Sequence, residues 1–220
     1  MSIEKEFAAA IIKWYKENGR DFPWRKTKDP YRVLVAEKLL QQTSVRASLI
    51  ELYELLVERY PSPQQMAKAN LDELRRLIQP LGLHYRAGDL IHMSCDIQEK
   101  FDGNVPASRE ELLSIYGVGE YSARAVLSFA YDKDVVVVDT NVARILFRVF
   151  NLQGKFPSNP ARNRNLSEIA SNLLPLTKAK IFNWAMIDLG ALICIPSRPM
   201  CDRCPVAMIC LYFQKRAVEK

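Results

Sequence analysis

The chain has 220 residues, 49% of them apolar and 25% charged, with 31 Lys and Arg against 25 Asp and Glu for a net charge of +6. These proportions suit one globular domain or two small interleaved ones, and they exclude a disordered tail, a fibre or a small disulfide scaffold. No long uncharged apolar run exists, so no membrane helix is expected, and the opening MSIEKEF, with its two acids, does not read as a secretory signal.

Helix signals dominate. Phe7, Ile11, Trp14 and Tyr15 recur at helical spacing before a stop at Gly19. Asp29-Pro30 is an N-cap followed by Pro at the first helical position, opening a helix to about Gln42. Ser44 is expected to start the next, which runs to about Tyr60. Asn70 with Glu73, and Ser108 with Glu111, are capping-box pairs, and Asp102-Gly103-Asn104 is a turn before the second of them. Further helices are expected over roughly 84–100, 120–131, 140–150, 165–174 and 178–190. Val135–Val138 alone has strand character, and with no partner strand it reads as a buried connector. The fold class is all-α, Gly154–Arg164 is an exposed loop, and the basic balance favours a polyanionic partner, nucleic acid first.

Four of the five cysteines fall in one loop, as Cys194-x6-Cys201-x2-Cys204-x5-Cys210. Disulfides scatter along a chain, whereas a tight cluster points to metal, here Zn²⁺ or a [4Fe–4S] cluster. Zinc ribbons pair two Cys-x2-Cys knuckles and this loop has one; Cys95 reads as a core residue. The spacing resembles the iron–sulfur loop of the endonuclease III family of DNA repair glycosylases. Residues 112–126, LLSIYGVGEYSARAV, add a tight Gly117-Val118-Gly119 turn opening a helix at Glu120, with free amides able to face a phosphate. Then come VVVV and Asp139-Thr140-Asn141. That order resembles the helix-hairpin-helix glycosylases, and the match runs from DFPWR at Asp21–Arg25 through EKLLQQT at Glu37–Thr43 to Cys210. Tyr116 departs from the Pro usual before the glycines.

The resemblance implies two helical lobes, a six-helix barrel over 28–134 with the hairpin, and an iron–sulfur domain made of 1–27 plus 135–220. It implies double-stranded DNA with a mismatched or damaged base as partner, no membrane, a monomer, and a place in a prokaryotic cytoplasm with the nucleoid. Breaking the base–sugar bond develops positive charge on the sugar, so a carboxylate is needed there, and Asp139 is the candidate, although it is also a good N-cap. Glu37 matches the acid that protonates a departing purine. Tyr121 stands where bifunctional relatives carry a Lys; Tyr cannot form a Schiff base, so base release without β-lyase strand cleavage is expected. Gln41 and Gln42 would fill the gap left by the flipped base, and Leu83, His84 or Tyr85 would wedge the duplex. Asn141 would orient a water or the sugar, and Arg198 and Arg203 would meet phosphates. Thymine or uracil opposite guanine is the expected substrate; adenine opposite guanine or 8-oxoguanine is the alternative. The chain ends ten residues after Cys210, so the extra domain of the adenine enzymes is expected to be absent. A non-catalytic DNA-binding module is the remaining alternative, and it would need neither Glu37 nor Asp139.

Overall fold

In a computed structural model of the chain, residues 3–41, 45–79, 82 and 84–218 are described. The helices are α1 (Ile3–Asn18), α2 (Pro30–Leu40), α3 (Ala47–Arg59), α4 (Pro63–Ala67), α5 (Leu71–Ile78), α6 (Arg86–Phe101), α7 (Arg109–Leu113), α8 (Glu120–Phe129), α9 (Thr140–Val149), α10 (Arg164–Leu173), α11 (Ala179–Leu192) and α12 (Leu211–Val218). No strand occurs among the described residues, and no helix there is long and apolar enough to cross a membrane.

The helices begin where their caps dictate. Asp29 accepts the Tyr31 amide at 2.9 Å, Asn70 accepts those of Asp72 and Glu73, Ser108 that of Glu111, and Asp139 that of Val142. The Asn70–Glu73 box is only half closed, because the Glu73 carboxylate pairs with Arg59 instead. Ser44, expected to start α3, lies outside the described residues; α3 opens at Ala47, with Arg46 in the cap position and no side-chain cap bond. The short helix α4, capped by Ser62 with Pro63 at its first position, was not foreseen.

The chain divides into two compact units, Asp21–Tyr131, and Met1–Arg20 with Asp132–Lys220. These limits differ from the expected 28 and 134. Phe22 and Trp24 stack at 4.8 Å, and Trp24 meets Tyr53 edge-on at 5.3 Å, which carries residues 21–27 into the first unit. Asp132 pairs with Lys180 at 3.0 Å, and the Thr177 amide donates to Asp134, so the chain has already joined the second unit there.

In the first unit α2 packs on α3, α6 and α8, and α6 on α4 and α5, around Leu34, Leu39, Leu56, Met66, Leu74 and Leu90. In the second, α1 and α9 pack on α11, and α10 and α12 on α9, around Phe7, Ile11, Leu146, Leu166, Phe182 and Met186. Val136, Val137 and Val138 are buried, and Val135 is half-buried. Val136 and Val138 enter this core, while buried Asn183 accepts the Val137 amide at 3.1 Å and donates to the Val135 carbonyl at 2.8 Å. One side chain supplies the hydrogen bonds that a partner strand would otherwise give.

Candidate active site and cysteine loop

Helix α2 buries residues on nearly every face, which places Glu37, only 6% exposed, and Lys38 inside the first unit. Gln41 follows at the C-cap, half-buried; Gln42 and Leu83 lie outside the described residues. His84 and Tyr85 sit exposed before α6, rings edge to face at 6.2 Å. Arg86 behind them is fully buried and donates to the Leu39 carbonyl at the end of α2.

The hairpin joins α7 to α8. Gly117 has φ +70°, a backbone conformation that favours glycine, and the Lys38 ammonium lies 2.5 Å from where a Cβ would stand. Val118 is buried, with its amide on the Ile115 carbonyl at 3.1 Å. Gly119 caps α8 with no side chain to occupy the first amides of that helix. Glu120 turns inward to Arg109 (2.6 and 2.9 Å) and Arg124 (2.6 Å). Burial would raise its carboxyl, but these two guanidiniums hold it below the ordinary value. Tyr121 is half-buried in the first turn of α8.

In the second unit Asp139 is both the α9 N-cap and one end of a hydrogen-bonded chain. Oδ1 accepts the Val142 amide and Oδ2 accepts Asn141 Nδ2, each at 2.7 Å. Burial pushes its carboxyl above the ordinary value, opposed by those bonds and by the Arg144 charge. Asn141 Oδ1 in turn accepts Arg144 Nη2 at 2.7 Å. Arg144 also donates to the Gly190 carbonyl at 2.8 Å and, through Nε, to the Cys194 carbonyl at 2.7 Å. One turn on, Arg148 donates to the carbonyls of Ile195 and Pro196, both at 2.7 Å, and to Cys194 Sγ at 3.4 Å. The backbone of α11 comes close because residue 190 is glycine; a Cβ there would lie 2.6 Å from Asn141 Cβ. Sequence reasoning missed Arg144 and Arg148. Their spacing of four puts them on one helix face, but their carbonyl partners lie about fifty positions away and leave no trace in composition.

The four clustered cysteines all line one pocket, beside Ile145, Val149, Leu189 and Phe213. Burial raises the thiol of Cys204 to about 12 and that of Cys210 above its ordinary value. A single tetrahedral ion, with metal–sulfur bonds of about 2.3 Å, would need sulfurs roughly 4 Å apart. No three His, Cys, Asp or Glu side chains among the described residues stand close enough to share one ion. Four thiols lining one space have the donor chemistry of an all-thiolate metal centre. Arg198, at φ +55°, and Arg203 are exposed on this loop.

Residues 35–172 match the HhH-GPD superfamily base excision DNA repair protein family. The thymine/uracil-DNA glycosylase of Pyrobaculum aerophilum is 40% identical over 96% of this chain and 93% of its own. The adenine DNA glycosylase of Rattus norvegicus is 35% identical over 95% of this chain but 42% of its own. A thermostable thymine-DNA glycosylase of solved structure superposes with a TM-score of 0.89 at 31% identity, covering 96% of this chain and 97% of the other. The chain belongs to the HhH-GPD superfamily of base excision DNA repair proteins and is a DNA glycosylase.

Proposed function

We propose that the chain is a monofunctional glycosylase that removes thymine or uracil opposite guanine from double-stranded DNA and leaves the strand intact. The observation that carries the chemistry is Asp139, a half-buried carboxylate whose two oxygens are fixed by the Val142 amide and Asn141. A carboxylate so fixed opposes positive charge developing at the sugar C1′ without having to reorganise. Near-full-length likeness to a thymine/uracil enzyme supports the choice of base. Glu37, buried on α2, is the proton donor to the departing base, and Asn141 orients Asp139. Tyr121 has no amine, so no Schiff base forms and the strand stays whole.

The amides of Gly117 and Gly119, with those that open α8, take a DNA phosphate, while Val118, its own amide held by the Ile115 carbonyl, packs the turn from within. Gln41, Gln42, Leu83, His84 and Tyr85 fill or wedge the duplex at the flipped base, and Arg198 and Arg203 meet flanking phosphates. Cys194, Cys201, Cys204 and Cys210 hold a [4Fe–4S] cluster. When bound, the cluster supplies a rigid cross-link that orders the loop and takes no part in base release. The protein works as a monomer, with the nucleoid of a prokaryotic cell.

The test is single-turnover base release on duplexes carrying G·T, G·U, A·G and A·8-oxoG, followed by alkali. Release of T and U only, with strand breaks only after alkali, is expected. Release of adenine moves the protein to the adenine group, and nicking before alkali contradicts Tyr121's assignment.

A further inference from the structure

Beyond its own turn bond from the Val118 amide to the Ile115 carbonyl, the hairpin is held by helix α6. Asp89, His92, Asp96 and Lys100 follow one another at spacings of three and four, so they share one face of α6, while Leu90, Met93 and Ile97 face the core. Asp96 Oδ2 accepts the Tyr116 amide at 2.7 Å and pairs with Lys100 at 2.9 Å. Lys100 also donates to the Ser114 carbonyl at 2.8 Å. Asp89 pairs with Lys38 at 3.0 Å and accepts the Tyr116 hydroxyl at 3.4 Å, and Lys38 is the group that fills the space beside Gly117. His92 meets the Tyr116 ring edge-on at 5.1 Å. Every residue from Ser114 to Gly117 except Ile115, which is buried, thus touches the α6 face or its Lys38 partner.

A proline at 116 would fix φ and offer no amide. Tyr116 leaves φ free and adds an N–H that needs an acceptor, and the structure supplies that acceptor from another helix. We infer that Asp96 is a positioning residue for DNA binding, acting through the Tyr116 amide to hold the Gly117-Val118-Gly119 turn ready for a phosphate. This rests on the proposed role of the hairpin in binding DNA. Asp96 is itself an anion on the protein's DNA-binding motif, so on charge alone its removal strengthens binding; the positioning role requires the reverse.

The experiment measures the Kd for a G·T duplex made with a non-hydrolysable thymidine analogue, together with amide hydrogen exchange over residues 114–119 of the free protein. Asp96→Ala is expected to weaken binding about tenfold, the loss of one charge-assisted hydrogen bond, and to speed exchange at Tyr116. Asp96→Asn, which keeps an acceptor for that amide, restores both to within about twofold. In a Tyr116→Pro background, Asp96→Ala changes the Kd by less than about twofold, because no amide remains to be held. Equal losses in both backgrounds, unchanged or tighter binding by Asp96→Ala, or failure of Asp96→Asn to rescue each overturn the inference. Gly119→Asp separates this from the reading it rests on. Asp is a better helix cap than Gly, so folding is kept, while its carboxylate occupies the amides intended for phosphate. If Gly119→Asp binds DNA as well as the unaltered protein, the hairpin reading itself fails; if it abolishes binding while Asp96→Ala does not weaken it, only the role of Asp96 fails.

Discussion

Replacing Arg144 by Met severs Asp139 and Asn141 from the cysteine loop and removes the cation that opposes the effect of burial on Asp139. Three strong donor contacts are lost, to Asn141 Oδ1 and to the carbonyls of Gly190 and Cys194. Hydrogen bonds from a charged donor contribute about 1.5–3 kcal/mol each when shielded. Arg144 is half-buried, so about 1 kcal/mol apiece and a total of about 3 kcal/mol is the appropriate scale. For a chain of this size that lowers Tm by roughly 6–12 °C.

The catalytic effect is separable from the stability effect. Burial raises the Asp139 carboxyl, and the Arg144 charge is one of the influences that lower it. In the role proposed for it Asp139 must be ionised, so base release is expected to fail as pH falls through its folded value. Without the cation that value rises, and the acidic limb of single-turnover base release moves to higher pH. Arg144→Lys keeps a charge but not the fork, and should lose stability while leaving the limb nearly in place. The assay is the single-turnover rate at saturating DNA between about pH 4 and pH 9. A limb that stays put in Arg144→Met, or moves to lower pH, would show that the titrating group is not Asp139 or that Arg144 does not act on it.

Asp139→Asn should reduce base release by at least about a hundredfold, while Tm at neutral pH stays within about 3 °C because Asn is an equally good cap; a larger loss of Tm would mean the carboxylate is chiefly structural. Gly190→Ala forces a Cβ to within 2.6 Å of Asn141 Cβ, so we expect a loss of about 1–3 kcal/mol in urea unfolding and a slower rate at saturating DNA, and wild-type values for both would contradict the close approach of α11 to α9. Glu120 has a folded value held low by Arg109 and Arg124, so its contribution is present above the ordinary carboxylate value of about 4 and is lost as pH falls through the lower folded one. The stability gap between the parent and Glu120→Gln should be constant from about pH 5 to 7 and close at more acid pH; a gap that widens on acidification reverses the sign and sinks the assignment. The purified protein should contain iron and acid-labile sulfide in equal amounts, lost together with loop order in Cys204→Ser, whereas stoichiometric zinc without sulfide would rule out the cluster.

Most of the fold was legible because helix caps are local chemistry. Asp29, Asn70, Ser108 and Asp139 each cap within three residues of themselves, and the cysteine loop announces itself by density alone. What could not be read was interaction at long range. Asn183 looks like one more polar residue in α11, yet it completes the backbone bonding of a segment 46 to 48 positions earlier. Nothing local marks Lys38 as buried, yet it lies against the hairpin because α2 is enclosed on nearly every side. The unit limits near 21 and 131 depend on a ring stack and an ion pair that no composition shift marks. The roles of Glu37 and Tyr121 came from family likeness, since a lone acid and a lone tyrosine on helices carry no chemistry of their own in sequence.

The Asn183 amide has a consequence for the Asp139 carboxylate. An extended segment buried on both sides has little to stop it sliding, because Val135, Val136, Val137 and Val138 are interchangeable in shape. Asn183 breaks that degeneracy by binding one amide and one carbonyl at fixed positions. A slip of one residue would turn the inward valines outward and carry Asp139 off the start of α9. The four valines therefore supply cohesion without address, and a single buried amide on a distant helix fixes where the carboxylate emerges.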